Sequence, residues 1–373
     1  MEWDYENCPR ASVHIRLIPS KMLGLLFKAL AMSLSGSDFW SDIRSNLVNT
    51  HTSTALDTNS TELFPITDQQ VFLVSGPDSA KFMQGQFTCN LDEISTSSYR
   101  PGACCNPKGR MITSFNLAQS NNNEYLLCMN DTLSDSSLAH LKKYMVFFKT
   151  NMAPVERVMA GLKGPNSEAI LSEVLGECPQ QDFQQVSHEE GLIIKLPFAA
   201  GFELWLEPSQ AQQTIKAILT SDSKCSLSGE NGWRLNRIQN GLAQVTDKSL
   251  EDFIPQMLNF GQTGAVSFNK GCYTGQEIVA RMQYLGKLKR HLYRGKVPAG
   301  QNIELATAIF SEGHEGAVSQ VVSVAYENDH AEILLVLDKK YLQTPLFLSE
   351  TNGPQIELLS LPYEIEVEEP KEG

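Results

Sequence analysis

The sequence predicts an α+β protein with a small antiparallel β-barrel at its C-terminal end. Before Gly286, strand-like and helix-like segments mix without a regular β-α-β alternation, which favours an α+β arrangement over a doubly wound parallel sheet. After Gly286, short β-rich segments are separated by turn-forming residues, a pattern typical of a small barrel. The 373 residues, of which 42% are hydrophobic and 20% charged, allow two or three ordinary globular domains.

Apolar spacing assigns the individual elements of a folded body that begins at Leu63. The strands predicted before the barrel are 70–74, 111–117, 125–128, 155–160, 192–196 and 202–206. The predicted helices are 79–86, 134–148, 167–175, 209–219, 232–240 and 275–285. The predicted barrel strands are 290–297, 316–324, 331–337 and 355–359. Thr, Ser and Asn dominate 49–61, which therefore reads as a loop.

Composition and charge disfavour several classes of function. The net charge of −13 argues against a broad nucleic-acid or anionic-membrane surface. The apolar run 22–32 is far shorter than the roughly 20 residues of a membrane span, and the acidic start is unlike a secretory signal. Eight irregularly spaced cysteines and seven histidines form no recognisable disulfide, zinc or iron–sulfur pattern, so no metal site and a reducing, cytoplasmic setting are predicted.

The segment 267–281 carries the candidate chemistry. Thr274 and Glu277 have the spacing of a helix capping box, and Gly286 is the expected C-cap of the helix that follows. Cys272 lies two residues before this cap, where unpaired amides, the helix dipole and nearby Lys270 are expected to lower the thiol pKa. The competing interpretation is a small packed cysteine at a turn.

The octapeptide at 270–277, Lys-Gly-Cys-Tyr-Thr-Gly-Gln-Glu, resembles the signature of the YgfZ family of folate-binding proteins. These proteins are relatives of the glycine-cleavage T-protein, an aminomethyltransferase. Further stretches resemble the family in the same order, namely 74–88, 106–110, 144–147 and 253–256. The similarity extends over about 65–365.

The resemblance implies two interleaved ferredoxin-like α+β domains of the T-protein type and a C-terminal barrel, arranged around a central channel. It places an N-terminal extension, partly loop, at 1–64 and a folate-binding domain at 65–160 together with 236–289. The second ferredoxin-like domain would be 161–235 and the barrel 290–373. Residues 1–31 have no clear counterpart in the family, and a natural start at Met32 would explain this.

The resemblance also implies tetrahydrofolate, or a derivative, as the cofactor. Folate needs a slot for its flat pterin, a polar group for the amide edge of the pterin and positively charged residues near its glutamate tail. Trp233 matches a pterin-contacting tryptophan of the family, whereas Gln69 stands near the position of a second, absent tryptophan. The other expected contacts are Lys270, Tyr273, Gln276, Glu277 and Arg281.

Each of these residues also has a plain structural interpretation. Trp233 could be a core residue, Lys270 a surface lysine and Tyr273 a residue packed under the helix cap. Gln276 could simply occupy the first helical turn, and Glu277 could pair with Arg281 at the i, i+4 spacing. A basic cluster could hold an anionic ligand or form a solvated face; its members are Arg281, Lys287, Lys289, Arg290, Arg294 and Lys296.

One departure from the T-protein pattern bears on catalysis. The T-protein relatives place a catalytic aspartate four or five residues beyond the turn glycine that corresponds to Gly109. Thr113 and Ser114 stand at those positions here. Neither hydroxyl can act near neutral pH as an ionised carboxylate would. The resemblance therefore implies a folate pocket without aminomethyl transfer, which favours an accessory protein over an enzyme.

The implied function is a folate-binding accessory protein that supports assembly or repair of iron–sulfur enzymes and thereby tRNA modification. Its expected partners include radical tRNA-modifying enzymes. Cys272 would serve as the functional thiol in redox exchange, sulfur handling or transient cluster contact, and these three roles stay open. A stable cluster in this chain alone is disfavoured because clusters need about four thiolates.

Two alternatives to this function stay open. One is a folate-dependent one-carbon transferase, which the missing carboxylate disfavours. The other is an interaction scaffold that uses neither folate nor thiol. Direct nucleic-acid binding is disfavoured by the net charge of −13.

Overall fold

The computed structural model describes residues 39–43, 60–286 and 288–365. Residues 39–43 are helical. The next elements are β1 Thr61–Ile66, β2 Gln69–Ser75, α1 Ser79–Gln84, β3 Arg100–Cys105, β4 Met111–Asn121, β5 Glu124–Asn130, α2 Ser134–Met145 and β6 Asn151–Val155. They are followed by β7 Val158–Lys163, α3 Ser167–Leu175, β8 Gln185–His188, β9 Gly191–Lys195, β10 Phe202–Leu206, α4 Pro208–Leu219, β11 Cys225–Leu227, α5 Glu230–Gln239 and α6 Gln276–Tyr284. The last strands are β12 Arg290–Pro298, β13 Ala308–Ser311, β14 Ser319–Tyr326, β15 His330–Asp338, β16 Leu346–Leu348 and β17 Gln355–Leu359.

The strands form three sheets. One has six strands in the order β11-β1-β7-β10-β9-β8, and one has five in the order β3-β4-β5-β2-β6. The third is a closed barrel, β12-β15-β14-β13-β16-β17, in which β17 returns to pair with β12. The β1–β11 pair is parallel, whereas the barrel ladders are antiparallel. The predicted α+β class and C-terminal barrel are confirmed.

Every predicted element overlaps an observed one of the same type, with one strand divided in two. The predicted strand 155–160 breaks at Glu156 and Arg157, so that β6 joins the five-stranded sheet and β7 the six-stranded one. The sequence reading missed β1, β3, β8, β11, β13 and β16. Strand β3 was obscured by Pro101, which is tolerated because β3 lies at a sheet edge.

Some predictions are not tested by this structure. The division into domains stays a prediction, and its boundaries after residues 64 and 160 fall inside β1 and β7. Most of the N-terminal extension, including nearly all of the loop at 49–61, lies outside the described residues, as do Lys287 and most of the acidic tail. Within the described residues, the seven cysteines are free and no helix is long and apolar enough to cross a bilayer.

Helix α5 lies where the six-stranded sheet meets the barrel. Leu235 and Ile238 are buried against barrel residues such as Val322 in the same hydrophobic cluster. The other side of α5 carries Trp233, whose indole lies 5.7 Å from the Phe64 ring of β1, centroid to centroid. Apolar contacts of α5 therefore join the sheet to the barrel.

Hydrogen bonds also hold α5 in its position between the sheet and the barrel. The fully buried Asn236 amide donates to the Ala200 carbonyl at 2.7 Å and accepts from Lys163 Nζ at 2.6 Å. The Asn231 side chain exchanges two hydrogen bonds with the backbone of Tyr326 in β14, at 2.6 and 2.9 Å. Because the buried Asn236 amide is costly to leave unsatisfied, its bonds make other positions of α5 unfavourable.

We expect Gly161→Ala to destabilise the protein by about 2–3 kcal/mol, because a methyl group there overpacks the core. A Cβ at Gly161 would lie 2.3 Å from the Trp233 ring, so α5 would have to move away from β7. Urea unfolding would measure the loss. Gly261→Ala is the matched control, since the nearest atom to its Cβ is 3.9 Å away. Equal stability of the two variants would contradict the expected close contact.

Candidate functional site

Helix α6, Gln276–Tyr284, confirms the helix predicted over 275–285, apart from its first and last residues. The predicted capping box is wrong. Gly275, with a φ of +84°, is the N-cap, and the Thr274 hydroxyl instead bonds to Gln86 Oε1 at 3.3 Å. A Cβ at position 275 would lie 2.5 Å from the Asn106 carbonyl oxygen, so the chain enters the helix through a glycine, one residue later than predicted.

Two of the stretches that resemble the YgfZ family, 74–88 and 106–110, meet the signature octapeptide around the start of α6. The Thr274 N–H donates to the Gly85 carbonyl at 3.1 Å, and the Ser267 N–H donates to the Thr88 carbonyl at 2.9 Å. The turn 106–110 contacts the N-cap of α6 from another side. Stretches that are far apart in the chain therefore build one local structure around the signature loop, residues 267–275.

Lys270 anchors this loop. Its Nζ donates to the carbonyls of Phe87 and Cys89 at 2.6 and 2.7 Å and lies 5.2 Å from the centroid of the Tyr273 ring. Burial lowers the Lys270 pKa to about 8. Tyr273 is itself buried, and burial raises its pKa. Tyr273 thus packs under the helix start, as its structural interpretation suggested. Lys270 is half-buried and bound to two carbonyls, so it is not the simple surface lysine of its structural interpretation.

Cys272 is exposed, three residues before the N-cap of α6. Its role as the functional thiol stays a prediction. Gln276 is half-buried on the first turn of the helix, whereas Glu277 and Arg281 are exposed. Among the described ion pairs, none joins Glu277 to Arg281.

Two adjoining cavities lie beside α5. The smaller has a volume of about 50 Å³ and the larger about 550 Å³. Arg237, Leu242 and Gln244 line both, so the two cavities meet at these residues. No residue of 267–281 lines either cavity. The structure therefore brings Trp233, which borders the larger cavity, to a different place from the other six predicted site residues.

Glu203 on β10 places a buried carboxylate at the wall of the smaller cavity, with only 2% of the residue exposed. Its Oε2 accepts from Asn116 Nδ2 and from Trp205 Nε1, both at 3.3 Å. Arg237 Nη1 lies 3.9 Å from Oε1, too far for a direct hydrogen bond. Burial raises the Glu203 pKa, and the Arg237 charge partly opposes this. Among the described contacts, both hydrogen bonds thus go to Oε2, and Oε1 has only the longer ion pair with Arg237.

Sequence reasoning missed Glu203. Residues 202–206 read Phe-Glu-Leu-Trp-Leu and predict a buried strand, which is correct. The available signal was the lone acidic residue within that apolar run, because charged residues are seldom fully buried without a partner.

Trp233 borders the larger cavity and is also a core residue. It is 3% exposed and packs beside Phe64, but its indole Nε1 has no hydrogen-bond partner. Gln69 forms a reciprocal amide pair with Gln244, with N–O distances of 2.9 and 3.1 Å. Because Gln244 lines both cavities, Gln69 supports their junction in the region where the family's second tryptophan was expected.

A hydroxyl occupies the cavity wall where the T-protein pattern leads one to expect a carboxylate. Ser114 lines the smaller cavity, and its Oγ accepts from the Val245 N–H at 2.9 Å. Thr113 is buried, and its hydroxyl donates to the Ser114 carbonyl at 3.3 Å. At position 114 the wall thus carries a neutral hydroxyl that already accepts a hydrogen bond from the backbone.

The described part of the predicted basic cluster does not border the cavities. Arg294 is paired with Glu332 through a 2.5 Å Nε–Oε2 contact. The basic residues that do line the cavities are Arg234, Arg237 and Lys248.

Comparisons with known proteins agree with this architecture. A family model described as the GCVT N-terminal domain matches residues 58–263. The tRNA-modifying protein YgfZ of Pectobacterium carotovorum subsp. carotovorum (strain PC1) is 30% identical over 312 residues, which cover 81% of this chain and 92% of that protein. The protein of the same name from Escherichia coli O7:K1 (strain IAI39 / ExPEC) is 28% identical over 82% of this chain and 94% of its own length.

A solved structure supports the fold. The glycine cleavage system aminomethyltransferase T from Bartonella henselae superposes with a TM-score of 0.67, at 19% identity, over 82% of this chain and 87% of that protein. At this identity the similarity concerns the fold alone. The family model and the sequence matches show that the chain belongs to the YgfZ family of GCVT-domain proteins.

Proposed function

We propose that this protein takes part in tRNA modification as an accessory protein that binds tetrahydrofolate, or a derivative, beside α5. Its relatives from Pectobacterium and Escherichia bear the name tRNA-modifying protein. The observation that carries the folate assignment is the buried Glu203 carboxylate at the cavity wall. Such a group is costly to bury unless a ligand or protein donor satisfies it.

The chemistry of Glu203 suits the polar edge of a pterin. That edge presents an amino group and a ring N–H side by side, and a carboxylate can accept from both. The Arg237 charge opposes the rise in the Glu203 pKa, and its Nη1, 3.9 Å from Oε1, makes no direct hydrogen bond to that oxygen. The pair therefore offers an orienting acceptor of the kind that small-molecule sites place in otherwise apolar walls.

The cavity volumes suggest how the ligand lies. About 50 Å³ is too small for a pterin, whereas about 550 Å³ is within the range of ligand sites, roughly 300–1,000 Å³. The body of the folate would occupy the larger cavity beside Trp233, with its polar edge directed through the junction at Gln244 towards Glu203. Arg234 and Lys248 would meet the anionic tail.

The signature residues have a separate part in this proposal. Lys270, Tyr273, Gln276, Glu277 and Arg281 line neither cavity, so the folate assignment rests on Glu203, Arg237 and Trp233 instead. Cys272 is exposed and therefore accessible to a partner protein. We assign the thiol to transient contact with the clusters of iron–sulfur enzymes in the cytoplasm. Stable ligation of a cluster needs about four thiolates, whereas a single thiolate can make a transient contact.

The same geometry disfavours the transferase alternative. Catalytic proton transfer requires a group whose pKa lies near the operating pH and which reaches the reacting atom. Ser114 is a hydroxyl already engaged with the Val245 N–H. The cavity thus supports binding more readily than aminomethyl transfer.

We expect Glu203→Gln to weaken tetrahydrofolate binding about 10- to 100-fold, because a charge-assisted hydrogen bond contributes about 1.5–3 kcal/mol. Calorimetric titration of the reduced protein would measure the affinity. Glu189→Gln, an exposed position, is the control and should bind as the unmodified protein does. Unchanged affinity in Glu203→Gln, with folding verified by circular dichroism, would remove Glu203 from the site.

We expect Cys272→Ser to abolish the function in cells while folate affinity stays unchanged, because the thiol lies outside the cavities. The variant would be expressed in bacteria that lack their own YgfZ protein, and sulfur-containing tRNA nucleosides would be measured by mass spectrometry. Cys225→Ser, at a half-buried thiol on β11, is the control. Full complementation by Cys272→Ser would instead favour the scaffold alternative.

A further inference from the structure

A compact group of side chains that could ligate a metal lies at the hairpin between β14 and β15. The donor atoms of Glu327, His330 and Glu332 all lie within 4.8 Å of one another. His330 and Glu332 are 8% and 3% exposed, and Glu327 is half-buried. In the sequence these residues are separated by three and two positions, which is not a recognisable metal-ligand spacing. The hairpin brings their side chains together.

The arrangement of His330 leaves one ring nitrogen without a hydrogen bond. Its Nδ1 lies 2.6 Å from Asp329 Oδ1, which fixes the ring and its tautomer. Its Nε2 then faces Glu327 Oε2 and Glu332 Oε1, each 3.8 Å away. A nitrogen lone pair and two carboxylate oxygens directed at one point are the donor set of a cation site.

The distances among these three donor atoms fit a bound metal ion better than a hydrogen bond from a protonated Nε2. A proton on Nε2 would form a hydrogen bond with an N–O distance of about 2.7–3.2 Å, shorter than the observed separations. An ion at the centre of a donor triangle with edges of about 4 Å would lie roughly 2.2–2.5 Å from each atom, close to the ~2.0–2.2 Å of Zn–N and Zn–O bonds.

The surroundings are also those of a metal site. Metal-bound histidines commonly donate their other ring N–H to a carboxylate, as His330 does to Asp329. Arg294 holds both oxygens of Glu332, at 2.5 and 2.7 Å, and Gln239 of α5 donates to Oε1 at 3.3 Å. Arg294 and, across the ladder, Lys296 offset only part of the charge of three carboxylates.

We propose that Glu327, His330 and Glu332 bind a divalent transition-metal ion of the zinc type, with Asp329 as the residue that orients His330. One imidazole with two carboxylates suits Zn²⁺ and disfavours Mg²⁺, which prefers all-oxygen sites. Three protein ligands leave at least one position for water. This site is separate from the proposed folate cavity, so either assignment can fail without the other.

The test is a zinc titration of the full chain in competition with a chromophoric chelator. All proteins would carry Cys272→Ser, which removes the exposed thiol as an adventitious ligand. We expect one zinc equivalent to bind the parent, with affinity at least about 100-fold weaker in His330→Ala and about 10-fold weaker in Asp329→Asn. Excess Mg²⁺ should not displace the zinc. A raised Tm with one equivalent of zinc should accompany binding.

His314→Ala is the matched control, since this exposed histidine makes an edge-to-face contact with Tyr341 and is not a member of the cluster. Glu327→Gln provides a second variant that leaves the buried strand intact, so the test does not depend on the stability of His330→Ala. Zinc affinity that is equal in the parent, Glu327→Gln and His330→Ala would overturn the proposal. Equal loss in His314→Ala would also overturn it.

Discussion

The close approach of α5 to β7 is the contact on which the rest of the structure depends. The Trp233 ring lies against Gly161, where a side chain of any kind would collide with it. The same helix buries Leu235 and Ile238 against the barrel. Because protein interiors are packed at high density, a shift of α5 away from the sheet would disturb its barrel contacts as well. The missing side chain at Gly161 thus sets the distance between sheet, helix and barrel.

The signature loop depends on a different constraint, a half-buried cation held by backbone carbonyls. Lys270 binds the carbonyls of Phe87 and Cys89, and the cost of its burial appears as a pKa lowered to about 8. This anchor holds one end of the loop and the Gly275 N-cap holds the other. The exposed Cys272 is therefore presented from a fixed backbone. A thiol displayed in this way can meet a partner protein without a prior ordering of the loop.

The parts of this fold that depend on local periodicity could be predicted from the sequence, whereas those that depend on distant contacts could not. Helix α3 and strand β10 were predicted with their observed bounds because their apolar spacing is strong. The capping box failed because the Asn106 carbonyl, far away in the chain, requires glycine at the N-cap. Trp233 was predicted as a site residue, but Glu203 was missed because only the folded sheet shows that its carboxylate faces a cavity.

The face of α5 that borders the larger cavity follows directly from helical geometry. Glu230, Trp233, Arg234 and Arg237 line it, at positions i, i+3, i+4 and i+7. Leu235 and Ile238 lie on the part of the helix that packs on the barrel. One amphipathic helix thus supplies both the wall of the proposed folate site and the contact with the barrel. Since a helix moves as a rigid element, the position of Arg237 relative to Glu203 depends on the barrel contacts of α5 as well as on its contact with β7.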